Sequence, residues 1–168
     1  MADGEAVGLA ATTPYLYFMF AIPVRPATAA DANTIAALIQ RTLRVSNAAD
    51  YSVEEIGHVF AGFSAGRVMQ RIQHQDVFVA EIDGEIVATV GYADGQLWAL
   101  FVAPERQRLG LGRLLVEHIE AHAQLRGDAQ LALSASLTGV EFYERLGYHR
   151  VSYLTHRSGA TYAMVKAL

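Results

Sequence analysis

The sequence predicts a mixed α/β fold in which a mostly antiparallel central sheet is flanked by helices. Three observations carry this. Strand-like runs at 77–82, 86–92 and 96–102 are separated by Asp83-Gly84 and Asp94-Gly95. These dipeptides tolerate positive φ at both central positions of a tight hairpin turn, so the runs form an antiparallel meander. An amphipathic stretch then leads to a short apolar run, a strand–helix–strand crossover that makes the next strand parallel to the last of the meander. Finally, the pattern Ser/Thr-x-x-Asp/Glu occurs before three helical stretches, where a hydroxyl caps the helix and the acid reaches back.

Taken in order, residues 1 to about 13 are small, Gly- and Ala-rich and without periodicity, a tail ahead of a domain spanning 21–168. The aromatic run Tyr15-Leu16-Tyr17-Phe18-Met19-Phe20 closes the 1–20 segment. It reads either as an apolar leader packed on its own domain or as a contact for a second subunit in a homodimer. Thr28 with Asp31 opens a helix to about Arg44, and Ser52 with Glu55 opens one with a break between Gly62 and Gly66. After the meander Pro104 stops the strand, and a helix follows from about Gly110 to Arg126. Its Leu111, Leu114, Leu115, His118, Ile119 and His122 share one face, while Arg113, Glu117, Glu120 and Gln124 lie opposite. A short buried strand at 131–134 follows. Thr138 with Glu141 opens a short helix, and strands at 149–155 and 161–166 close the chain around a turn at Ser158-Gly159.

Composition narrows the function. With 168 residues, 52% hydrophobic and 18% charged, the chain has material for one core. A net charge of −4 argues against a broad nucleic-acid footprint. The absence of cysteine removes disulfides, thiolate zinc sites and a cysteine nucleophile. The apolar run 15–24 lies between Pro14 and Pro23, too short to span a bilayer, and no basic start precedes it; a cytoplasmic protein without a membrane partner is expected. His118 and His122 have ligand spacing, but no third ligand is indicated, so no metal is expected.

The informative stretch is Leu100-Phe101-Val102-Ala103-Pro104-Glu105-Arg106-Gln107-Arg108-Leu109-Gly110-Leu111-Gly112-Arg113. A strand ends, a basic glycine-containing loop follows and a helix starts. The first N–H groups of a helix have no intrahelical partner and, with the helix dipole, suit phosphate oxygens. Gly110 and Gly112 allow close backbone approach, and Arg106, Arg108 and Arg113 add positive charge. The loop lacks the Gly-Lys-Ser/Thr ending of a P-loop and the third glycine of a dinucleotide fingerprint.

Gln107-x-x-Gly110-x-Gly112 resembles the Gln/Arg-x-x-Gly-x-Gly/Ala signature of the GNAT acetyltransferases. The preceding Leu100 to Pro104 is similar to that family's central strand and its stop. Phe142-Tyr143-Glu144-Arg145-Leu146-Gly147-Tyr148 resembles its second motif, and Ile22 to Thr28 its opening strand. The resemblance covers about Ile22 to Leu168. It implies a GNAT-type sheet splayed between the fourth and fifth strands, and an N-acetyltransferase moving an acetyl group from acetyl-CoA to a primary amine by direct attack. It further implies that Gln107, Arg108, Leu109, Gly110, Leu111, Gly112 and Arg113 hold the pyrophosphate while Leu100 and Val102 pair with the pantetheine arm. Ser136 stands where many members carry Asn. Tyr143 falls where a hydroxyl points at the cofactor sulfur, and the Val102 N–H is the donor to the carbonyl oxygen if the strand bulges.

A free alkyl ammonium has a pKa of about 10.4 and must lose a proton before attack. Gln96 occupies the position of the catalytic Glu of histone-type members. Glu81, Asp94 and His58 are the available substitutes, though each reads more readily as a solvated strand or turn charge or an ordinary helix histidine. Tyr51, Trp98, Phe60 and Phe63 are candidates for an acceptor pocket, and an acidic chain with such a pocket favours a small cationic amine, with peptide N-termini open. The alternative from another class is a non-catalytic acyl-CoA-binding module.

Overall fold

The computed structural model describes residues 22–168, so the segment 1–20 and its expected role in self-association lie outside the described residues. Seven strands form one sheet in the order β1-β2-β3-β4-β5-β7-β6. They are β1 (Val24–Pro26), β2 (Asp76–Ile82), β3 (Glu85–Ala93), β4 (Gln96–Val102), β5 (Gln130–Ser136), β6 (His149–His156) and β7 (Gly159–Ala167). Among the described residues only the β4–β5 pair is parallel; every other pair is antiparallel. Helices α1 (Ala32–Ser46), α2 (Val53–Gly62), α3 (Ala65–His74), α4 (Leu111–Leu125) and α5 (Val140–Arg145) complete the fold. Among the described residues no helix is long and apolar enough to cross a membrane.

Two-residue alternation along β2 places a core on each side of the sheet. Val77 and Val79 join Ile35, Ile39 and Leu43 of α1 and Val68 of α3 in one buried cluster. Phe78 and Ala80 join Leu111, Leu115, Val116 and Ile119 of α4 in the other. Burial of such Leu and Ile side chains is worth about 1.5–3 kcal/mol each. The turns form as their dipeptides require: φ is 53° and 80° at Asp83 and Gly84, and 48° and 73° at Asp94 and Gly95.

The capping expectations divide. The Ser52–Glu55 box is made, with Glu55 accepting from the Ser52 N–H at 2.7 Å and Ser52 Oγ accepting from the Glu55 N–H at 3.2 Å. Asp31 accepts from the Thr28 N–H at 2.7 Å and opens a 3-10 turn that runs into α1. The break near Gly62 is real, and Ser64 caps α3 by accepting from the Arg67 N–H. The third box is not formed. Gly139 precedes α5 without a side-chain cap, because the Thr138 hydroxyl donates instead to Asp50 at 2.6 Å, across the molecule.

Candidate active site between the parting strands

The parallel pair β4 and β5 is joined only at Gln96↔Ala132 and Leu97↔Leu133, yet the strands run on to Val102 and Ser136. Beyond Leu97 they part and open a cleft of about 820 Å³. The parting begins at a bulge. The β3–β4 register slips between Thr89↔Phe101 and Gly91↔Trp98, so β4 carries one extra residue there, and Ala99 sits at φ 50°. A left-handed alanine costs roughly 1–2 kcal/mol, strain of the kind that recurs at functional sites.

The bulge sets the direction of the peptide groups that follow. Ala103 donates its N–H to Val87 C=O at 2.8 Å. By antiparallel alternation the Ala88↔Val102 pair is then the one without mutual hydrogen bonds, and Val102 turns both N–H and C=O away from β3. Its carbonyl accepts instead from Gln107 Nε2 at 3.1 Å and lies 3.3 Å from the Thr42 hydroxyl, whose shorter bond is to Leu38 C=O at 2.9 Å. Leu100, two residues earlier, turns its peptide the same way. Both residues line the cleft.

The loop beyond β4 rises through a 3-10 turn over Pro104–Arg106 to Gly110, which precedes α4 with φ 83° and ψ −2°, a conformation that favours glycine. The Leu114 N–H is the first to bond back into the helix, to Gly110 C=O at 3.0 Å. The amides of Leu111, Gly112 and Arg113 therefore have no acceptor within α4. Gln107, Arg108, Gly110, Leu111, Gly112 and Arg113 all line the cleft; Leu109 does not. Gln107 also donates to Ser46 Oγ at 2.8 Å, tying the loop to α1.

Four arginines line the cleft, Arg106, Arg108, Arg113 and Arg145, and among the described residues no Asp or Glu does. In a chain of net charge −4 this concentrates positive potential at one end of the sheet. A polyphosphate fits that end, where oriented amides and guanidinium groups supply donors together.

Ser136 and Tyr143 reach the cleft from the β5 side. The Tyr143 ring is buried at 8% exposure and stands edge-on to Phe142 and Tyr148, with centroids 5.0 and 5.7 Å away. Among the described residues its hydroxyl has no hydrogen-bond partner, yet the oxygen is not fully buried. Burial pushes its pKa well above the usual tyrosine value, so it stays protonated and remains an O–H donor.

None of the expected substitute bases is present in the cleft wall. Glu81 is held by Arg25 at 3.1 Å, Asp94 is in the β3–β4 turn, and His58 lies 3.8 Å from Glu54 on α2. Gln96 is exposed at the start of β4. Of the four aromatic candidates only Tyr51 lines the cleft. Phe63 and Trp98 instead sandwich the Arg71 guanidinium at 4.6 and 5.2 Å, and Phe60 lies under Arg44. All three pack against the buried cluster of α1, α3 and β2. His122 hydrogen-bonds Asp76 at 2.8 Å, and both His118 and His122 pack edge-on to Phe78.

Sequence reading did not assign Thr42 and Ser46, which anchor the loop, or Leu43, Ile56, Val59 and Phe101, which make the apolar end of the cleft. Ile56 and Val59 do carry a signal, a three-residue spacing on one face of α2. Thr42 carries none, since its partner is 60 residues away.

A family model described as an acetyltransferase (GNAT) domain matches residues 47–167. The chain is 27% identical over 147 residues to a ribosomal protein bS18-alanine N-acetyltransferase of Escherichia coli, covering 81% of this chain and 97% of that one. Its fold is similar to a GCN5-related N-acetyltransferase from Rhodopseudomonas palustris, with TM-score 0.82, 24% identity and coverage of 88% and 96%. It is also similar to the PaiA N-acetyltransferase from Thermoplasma acidophilum, solved in complex with coenzyme A, with TM-score 0.78, 18% identity and coverage of 88% and 99%.

Proposed function

The chain belongs to the GNAT acetyltransferase family, and from that premise we propose that it transfers an acetyl group from acetyl-CoA to a primary amine. One observation carries the reading: unpaired amides at the start of α4 and four arginines share a cleft with the outward-turned peptides of Leu100 and Val102. The loop from Gln107 to Arg113 holds the pyrophosphate, and the β4 edge accepts the pantetheine arm as an added strand would be accepted. Ser136 flanks that arm from β5.

Acetyl-CoA supplies an acyl carbon activated as a thioester. The Val102 N–H donates to the acyl oxygen, where charge develops during attack. As the C–N bond forms and the C–S bond breaks, the Tyr143 hydroxyl gives its proton to the departing sulfur, and the proton shed by the attacking nitrogen returns to the tyrosine through water. No side chain in the cleft wall is suited to deprotonate the amine, so the amine reaches the acyl carbon after losing its proton to water. Each role uses a group whose direction is fixed by the bulge or by burial.

Titration calorimetry with acetyl-CoA, paired with thiol release in the presence of amines, tests the proposal. Arg113→Glu reverses a charge on a half-exposed side chain whose 3.6 Å pairing with Glu117 contributes little to stability. It should weaken acetyl-CoA binding about tenfold or more, about 1.4 kcal/mol. Unchanged affinity in this variant would remove the loop from the site. Glycine replacements are poorer probes here, because Gly110 is left-handed and a Cβ on Gly112 would lie 3.1 Å from the Phe142 ring.

A further inference from the structure

The proposed site is lined by unlike groups, and its apolar part bears on the acceptor. Besides the arginines and the polar Asn47 and Ser158, the cleft is walled by Leu43 of α1, Ile56 and Val59 of α2, Phe101 of β4 and the Tyr51 ring. Phe101 is held by an edge contact to Phe63 at 5.6 Å. Tyr51 presents only its ring, because its hydroxyl is fully used: it donates to Ala160 C=O at 2.7 Å and accepts from the Leu137 N–H at 2.8 Å. Among the described residues no carboxylate lines the cleft; Asp50 and Glu55, close in the chain to Tyr51 and Ile56, lie outside its lining.

Given the acetyl-transfer reading above, on which this rests, we infer that the acceptor is an apolar primary monoamine: one amino group on a hydrocarbon or aromatic body. Such an amine reaches the acyl carbon neutral and lays its body against Ile56, Val59 and Phe101, where burial of apolar surface drives binding. A polyamine or aminoglycoside would bring a second ammonium to the same wall. That charge would lose water without gaining a counter-ion in the cleft wall, a cost that apolar contact does not offset. The arginines of the same cleft add repulsion until the phosphates of acetyl-CoA neutralise them.

The test compares 2-phenylethylamine, spermidine, kanamycin and an uncharged peptide with a free N-terminal alanine, all at saturating acetyl-CoA, with kcat/KM read by thiol release. Acetyl-CoA affinity is measured separately by calorimetry. 2-Phenylethylamine should exceed the two polycations at least tenfold. Val59→Glu, which plants a carboxylate on the wall, should narrow or invert that ratio without changing acetyl-CoA affinity; Ile56→Glu, one turn away, serves where Val59→Glu does not fold. Equal or greater turnover of a polycation, faster turnover of the peptide, or a ratio unmoved in the folded Glu variant would overturn the inference. Failure of acetyl-CoA to bind, or binding without thiol release from any amine, is a different result: it sinks the acetyl-transfer reading itself, and the inference with it.

Discussion

Replacing Tyr143 with Phe isolates the proton donor from the packing around it. The ring is buried against Phe142 and Tyr148, and Phe keeps those edge contacts. Among the described residues the hydroxyl has no hydrogen-bond partner, so its loss removes none of the roughly 0.5–1.5 kcal/mol that a bonded hydroxyl contributes. Thermal stability should therefore stay within a few tenths of a kcal/mol of wild type. Catalysis should not. A positioned acid contributes about 10²–10⁴-fold, and a thiol whose pKa is near 8.5 leaves readily enough to place the expected loss at roughly 10²–10³. That is about 2.7–4 kcal/mol of transition-state stabilisation at 1.36 kcal/mol per decade. Calorimetry should find acetyl-CoA affinity little changed, while thiol release at saturating acetyl-CoA falls by that factor. A Phe variant keeping more than about a third of wild-type turnover would refute Tyr143 as the required acid.

Other perturbations follow from the same geometry. With no carboxylate or imidazole in the cleft wall among the described residues, log kcat/KM should rise with unit slope up to the acceptor's own pKa; a break at one fixed pH for two acceptors of different basicity would reveal an enzymic base. Gln107→Ala cuts the ties to Ser46 and Val102 and should cost about 0.5–1.5 kcal/mol in denaturant melts, with weaker acetyl-CoA binding from a looser loop. Arg25 holds the Asp31 carboxyl far below its usual range, so folding stability from this group is present at neutral pH and is lost as pH falls from about 4 through the folded-state value. The Tm gap between wild type and Asp31→Asn should accordingly be full at pH 7 and shrink in acid; a gap independent of pH would contradict the pairing.

What the sequence disclosed and what it hid separate by physical range. The hairpin turns at Asp83-Gly84 and Asp94-Gly95, the left-handed Gly110 and the Ser52–Glu55 box depend on neighbours within a few residues, and each is legible. Thr138 looks like the same kind of signal but fails, because Asp50, 88 residues away, offers its hydroxyl a competing acceptor. Likewise Trp98 and Phe63 read as pocket aromatics until the bulge at Ala99 and the sheet's alternation turn them onto Arg71. Tyr51 was legible as an aromatic near the site. Its anchorage to Leu137 and Ala160 was not, since both partners lie beyond the crossover.

The same distinction explains why the cofactor end of the cleft is easier to read than the acceptor end. The proposed phosphate contacts are backbone amides, whose direction follows from a loop, a glycine and a helix start that are contiguous from Gln107 to Arg113. The proposed acceptor contacts are side chains that α1, α2 and β4 bring together from Leu43, Ile56, Val59 and Phe101, each of which alone reads as ordinary core. The bulge bears on both. By inserting one residue at Ala99 it shifts the register of β4, so that the Val102 peptide turns away from β3 while Phe101 lines the cleft, and on the proposed reading a single strained alanine thus sets the donor to the acyl oxygen near the wall that would receive the amine.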